Sequence, residues 1–158
     1  MKYINRQPKD FIKSLQLIHF IMLFSVVGFA VYVVYKTADS LIFSYEENKP
    51  FLYLAIIMCF IGNLASKLLY KKLINQITKD SNLSQKAIKY SSAHIFRMAM
   101  LEFPAFMCVF FAMQSKNSFY FILVGILVLM MLAIYPSKFK FENDVPLTNS
   151  EKSMLEKL

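Results

Sequence analysis

A chain of 158 residues holds one domain's worth of material, and 57% of it is hydrophobic against 18% charged, where soluble domains run nearer a quarter charged. The formal charge is +8, but the lysines and arginines flank apolar stretches and form no recognition motif, which argues against a nucleic-acid partner and for anionic headgroups at a membrane surface. Gly-rich phosphate loops, HExxH, nucleophile elbows and cysteine-rich metal signatures are absent from the sequence, so no cofactor and no metal is expected and nothing asks for an enzyme.

A helical span takes about 20 mostly apolar residues to cross roughly 30 Å of hydrocarbon. The first predicted span is residues 15–35. Its apolar run is longer than that of a signal peptide, and no small-x-small site precedes Lys36, so it is expected to be retained. A first loop, 36–50, carries the aromatic stretch 41–45, suited to an interfacial position. The second predicted span is 51–69. Beyond it KKLINQITK keeps helical apolar spacing at Leu73, Ile74 and Ile77. Asp80, Ser81 and Asn82 then break the pattern, and Asn82 or Ser84 can cap the next helix. The third span, 93–113, holds His94, Arg97, Glu102 and Pro104, and the fourth is 119–135. Spans two and three thus form a long helical hairpin whose tip projects from the membrane.

After Pro136 the chain turns polar, with KFKFE expected to be briefly extended. Thr148 and Glu151 fit a capping box that opens a short amphipathic helix bearing Met154, Leu155 and Leu158. That apolar edge is free to rest on the membrane, the hairpin tip or a partner. The expected fold class is therefore all-α, an integral membrane four-helix bundle. Residues 1–135 make the membrane domain and 136–158 the tail.

Orientation follows from the cations in the short flanks. Lys2, Arg6, Lys9 and Lys13 precede the first span. Lys67, Lys71, Lys72, Lys79, Lys86 and Lys89 serve the middle connector, and Lys138, Lys140, Lys152 and Lys157 the tail. The other two loops carry only Lys36, Lys49 and Lys116, with Asp39, Glu46 and Glu47. Both ends and the hairpin tip are expected in the cytoplasm, the localisation being a bacterial inner membrane, multi-pass.

Glu102 is the leading candidate site residue. It lies roughly 15 Å into its span, near mid-bilayer, where acids mark proton or ion paths or internal pairs. Pro104 removes its own amide and strips the Met100 carbonyl of its helical partner, kinking the helix. Arg97 falls about 140° away from Glu102 around the helix. Asn63, at a similar depth, is the expected partner, with Gly62 and Ser66 giving the second span a small-residue face for close packing. His19, Lys67, His94 and Arg97 lie toward the cytoplasmic side as candidates for polar or headgroup contact, Lys67 and Arg97 by snorkelling. Cys59 and Cys108 are read as small buried hydrophobes at different heights, so a disulfide between them is not expected.

Arg97, the stretch Leu101-Glu102-Phe103-Pro104, the short outer turn, Tyr135-Pro136-Ser137-Lys138, and the run from Asp144 to Glu151 resemble a group of uncharacterised small bacterial four-span membrane proteins. That resemblance implies no activity. Lys79 to Asn82 with Glu102 also faintly resemble the polar loop and carboxylate of the proteolipid c subunit of rotary ATP synthases, although its glycine stripe is missing from 51–69. Three functions follow as expectations. The first is a non-enzymatic structural or accessory subunit acting through its lipid-facing surfaces, in a homo-oligomer or with a membrane-protein partner. The second is a proton- or cation-coupled carrier using Glu102 and Asn63. The third is a lipid-directed membrane enzyme using His94, Arg97 and Glu102.

Overall fold

The computed structural model describes residues 8–44 and 49–156. Helix α1 (Pro8–Thr37) starts on a proline, which suits a first turn that has no use for its amide. Its last turn tightens into a 3-10 turn at Ala38–Ser40. Helix α2 (Lys49–Ile74) likewise carries Pro50 in its first turn. Helix α3 (Leu83–Ser115) is capped by Asn82, whose side chain accepts from the Gln85 amide at 2.9 Å. It ends where Lys116 turns left-handed at φ 51°. Helices α4 (Tyr120–Ala133), α5 (Lys138–Asp144) and α6 (Asn149–Glu156) complete the chain, which is all-helical among the described residues.

Three of these helices are long and apolar enough to cross a membrane, or four if α4 and α5, bent by 78° at Pro136, make one broken span. At 14 residues α4 rises about 21 Å, less than the predicted fourth stretch. It closes early because Ile134 and Tyr135 leave the helical ladder ahead of Pro136.

Two local expectations are corrected. KFKFE is helical, with the Ser137 hydroxyl accepting from the Lys140 amide as its N-cap. Phe141 points inward and Phe139 outward, so a single anchor in a short helix mimicked the alternation of a strand. Helix α2 stops at Ile74. Ile77 is buried nonetheless, because the turn itself folds back under the hairpin.

Helix α3 is the centre of the bundle: 44% of its apolar window is buried, against 22% in α1 and 17% in α2. It packs on α1, α2 and α4, around a core of Val26, Ala55, Met98, Ala105, Cys108, Tyr120 and Leu127. A second cluster gathers at the hairpin end. There Leu15, Ile77, Ala87, Tyr90, Phe141, Val145 and Leu155 meet, with Phe141 edge-on to Phe11 and Tyr90. The lower turns of α1, the α2–α3 tip and the tail therefore share one end of the molecule.

The tail is locked there. Thr148 and Glu151 form the capping box, the Thr148 amide donating to Glu151 at 2.7 Å and the Glu151 amide to Thr148 Oγ1 at 3.3 Å. Lys86, fully buried, donates to both Glu151 oxygens at 2.8 and 3.0 Å. Burial opposes ionisation of Glu151, but hydrogen bonds from Lys86 and Thr148 outweigh it and hold the carboxyl below its ordinary 4.5. Lys138 closes the far end of α6 on the Leu155 carbonyl at 2.5 Å. Of the three supports considered for the apolar edge, Leu155 uses the hairpin; Met154 stays exposed, and Leu158 lies outside the described residues.

At the opposite end Ile42 bridges to the turn after α3, its amide on the Lys116 carbonyl and its carbonyl taking the Ser118 amide, each at 2.8 Å. The expected interfacial stretch is thus pinned to the α3–α4 turn, with Phe43 exposed and stacked near Phe119. Tyr45, Glu46 and Glu47 lie outside the described residues, as do Lys2, Arg6 and Lys157.

Candidate functional site

Proline 104 and Gly62 build the centre of the site. Pro104 leaves the Met100 carbonyl without a helical donor, and α2 closes on that spot. A Cβ added at Gly62 would lie 2.6 Å from the Met100 oxygen and 2.8 Å from Pro104 Cγ. One turn along, the Ser66 hydroxyl donates to the Arg97 carbonyl at 3.1 Å. The small-residue face anticipated on the second span is real, and it is what lets the two backbones touch.

Glu102, two residues before Pro104, turns toward α1. The Ser25 hydroxyl donates to Glu102 Oε1 at 2.7 Å, and the same hydroxyl lies 2.6 Å from the Met22 carbonyl. A hydroxyl has one proton to give, so two acceptors compete for it. Among the described residues Ser25 is the hydrogen-bond partner of Glu102; Asn63 is half-buried and shares no hydrogen bond with it. Glu102 itself is half-buried and Ser25 exposed. Around them the wall is apolar and open, with Ile21, Phe24 and Phe103 each at least 60% exposed. Gly28, one turn from Ser25, has open space where a Cβ would stand.

Toward the hairpin end, His19 and His94 meet. Nδ1 of His19 and Nε2 of His94 are 3.2 Å apart and share one proton, both rings being almost wholly buried. The Tyr135 ring stands edge-on to His19. Nε2 of His19 is buried without a hydrogen-bond partner. Lys140 arches nearby, donating to the carbonyls of Ala133 and Tyr135 at 2.8 and 3.0 Å and so closing the frayed end of α4. Arg97 does not reach outward alone. Its guanidinium lies 4.5 Å from the centre of the Tyr70 ring, whose hydroxyl donates to Asp144 of α5 at 2.5 Å. Lys67 is exposed. No group of three or more histidine, cysteine or acidic side chains converges as a metal site among the described residues.

The sequence-predicted residues therefore separate into two places. Glu102 with Pro104 is mid-bundle, bonded to α1, while His19, His94 and Arg97 form a basic aromatic layer below it. His94 bonds to His19 and Glu102 to Ser25, so no hydrogen bond joins His94 to Glu102 among the described residues. Sequence reasoning missed Ser25, and it named His19 and His94 on the same side without foreseeing their direct contact. A depth count held the signal: His19 and His94 each lie about 16 Å of helical rise from the start of their own helices, and α1 and α3 run in the same direction.

The cysteines carry no disulfide but stand closer than their expected difference in height suggested. Cys59 and Cys108 are free thiols whose sulfurs are 3.6 Å apart. Their backbone levels do differ, but in a helix each Cα–Cβ bond leans toward its own N-terminus. Helices α2 and α3 are antiparallel, so the two side chains lean toward each other and close the gap.

The profile of one family, described as Domain of unknown function (DUF4271), matches residues 2–144. No curated protein and no solved structure matches, and the likeness to the rotary proteolipid finds no support in these comparisons.

Proposed function

Because the chain belongs to the DUF4271 family, we propose for this member a non-enzymatic role as a multi-pass accessory subunit that docks a membrane partner. It sits in a bacterial inner membrane with both ends and the hairpin tip in the cytoplasm. The supporting asymmetry is electrostatic: Lys13, Lys71, Lys72, Lys79, Lys89 and Lys152 crowd the hairpin end, whereas Lys36, Lys49 and Lys116 stand at the other. Anionic headgroups and the basic end are complementary.

The observation that carries the docking role is the Glu102–Ser25 notch. A carboxylate at mid-span on a half-open apolar wall, sharing one hydroxyl proton with a backbone carbonyl, retains acceptor capacity that lipid tails cannot meet. A neighbouring transmembrane helix bringing a donor or a cation would meet it, and the open Gly28 beside it admits close approach. Photocrosslinkers placed at Phe24 and Phe103 in native membranes are expected to trap one stoichiometric membrane protein or a second copy, and Glu102→Ala to abolish the product. Mild-detergent purification yielding neither a stoichiometric partner nor a homo-oligomer would dispose of the reading.

A proton- or cation-coupled carrier is the second reading, favoured by the same carboxylate lying beside a hydroxyl and two residues from a mid-helix proline. It requires Glu102→Gln to abolish a pH-dependent flux in liposomes. Equal flux in the two proteins eliminates it.

A further inference from the structure

We propose that Cys59 and Cys108 form a reversible disulfide, stapling α2 to α3 inside the apolar part of the bundle by exchange with a lipid-soluble disulfide. The two free thiols, from different helices, lie in van der Waals contact at 3.6 Å. A disulfide requires Cα atoms within about 7 Å, closer than most residues on neighbouring helices come when their axes are 8–10 Å apart. The crossing at Gly62 favours that closeness, since the glycine backbone lies directly against the Met100 carbonyl and the Pro104 ring there. Cys59 is about one turn from Gly62, and Cys108 about one turn from Pro104, both toward the same end of the hairpin.

Exposure assigns the order of events. Cys59 is partly exposed and Cys108 fully buried. The Cys59 thiolate attacks one sulfur of the reagent, forming a mixed disulfide and expelling a thiolate that takes up the proton Cys59 released. Cys108, already in contact, then attacks the Cys59 sulfur and expels the second half of the reagent, again with its proton. Two protein thiols become one disulfide and the reagent disulfide becomes two thiols, which balances electrons and protons. The product holds the hairpin shut beside its closest crossing and opens again with excess thiol.

The test uses the whole chain in micelles with dithiodipyridine, a neutral aromatic disulfide whose thiopyridone product absorbs light. The native protein is expected to release two thiopyridones per chain and keep no adduct. Its mass falls by two hydrogens, and peptide mapping recovers the 59–108 cross-link, which dithiothreitol reverses. Cys108→Ser releases one thiopyridone and retains the adduct, while Cys59→Ser reacts about tenfold or more slowly, as a buried thiol does. Two stable adducts, a Cys59 adduct persisting beside a free Cys108, or no release at all each overturn the proposal. The peptide map of the native chain decides even where a serine variant fails to fold.

Discussion

At Gly62 an added methyl meets a carbonyl oxygen and a proline ring, neither of which is a flexible side-chain end. Helix propensity favours alanine over glycine by about 1 kcal/mol, but overpacking costs about 1–3 kcal/mol, and here the obstacle is backbone. Gly62→Ala is therefore expected to lower the thermal midpoint in micelles. Gly125→Ala, with nothing within 4 Å of the new atom, is expected to raise it or leave it level. Equal stability of the Gly62 variant and the native chain would refute the tight crossing. Glu102→Gln keeps an acceptor for Ser25, so stability is expected to change by less than about 1 kcal/mol while partner capture is lost. Intact capture by a folded Gln variant would show that the charge of the carboxylate is not what holds the partner. The mid-span acid, the proline and the small-residue face were legible because each stands out within a long apolar run. Ser25 was not, since one serine in an apolar run is ordinary.

The elements begin and end where local chemistry places them. Asn82 and Ser137 each accept from an amide in the first turn of their helix, and replacing either by alanine is expected to cost about 1 kcal/mol, read as lost amide protection in that turn. The tail helix depends on more than its cap. Removing Glu151 leaves Lys86 buried without a counter-ion, an error of about 3–5 kcal/mol, so Glu151→Ala is expected to release α6. A combined Lys86→Met and Glu151→Leu change keeps it docked. Persistence of α6 protection in the single variant would refute the ion pair as its anchor. The pH dependence has a definite sign. Because Glu151 titrates below 4.5 when docked, its contribution is complete above the unfolded value and is lost as pH falls through the lower, docked value. Hydrogen exchange in α6 should accelerate only below about pH 4.5; undocking on raising the pH instead would contradict this. The capping box could be read directly because it is a contact between near neighbours. The helical state of KFKFE could not, since one buried phenylalanine satisfies either periodicity.

For the whole molecule, α1 and α3 run parallel, and their contacts keep nearly constant separation, 75 residues at His19–His94 and 77 at Ser25–Glu102. This regular offset is what layers the polar groups, histidines near the hairpin and the carboxylate above them. The unequal number of lysines at the two ends gives the topology proposal a direct check. Single cysteines in a cysteine-free chain at Lys79 and Lys152 should react only from the cytoplasmic side, and one at Lys116 only from outside. Labelling of Lys79 from outside would overturn the assignment.

Composition and order by themselves determined that the long apolar stretches are helical and where they run, that Thr148 and Glu151 cap the last helix, and which flanks are basic. These are properties of single segments, fixed by transfer free energy and by hydrogen bonds between residues a turn apart. Tertiary structure alone decided that Glu102 answers to Ser25, that His19 meets His94, that Cys59 touches Cys108 and that Lys86 holds Glu151. Each of those pairs depends on how far one helix is rotated and shifted against another. A residue turns about 100° from its neighbour around a helix, so a slip of one or two positions exchanges every partner while leaving the pattern of the sequence untouched.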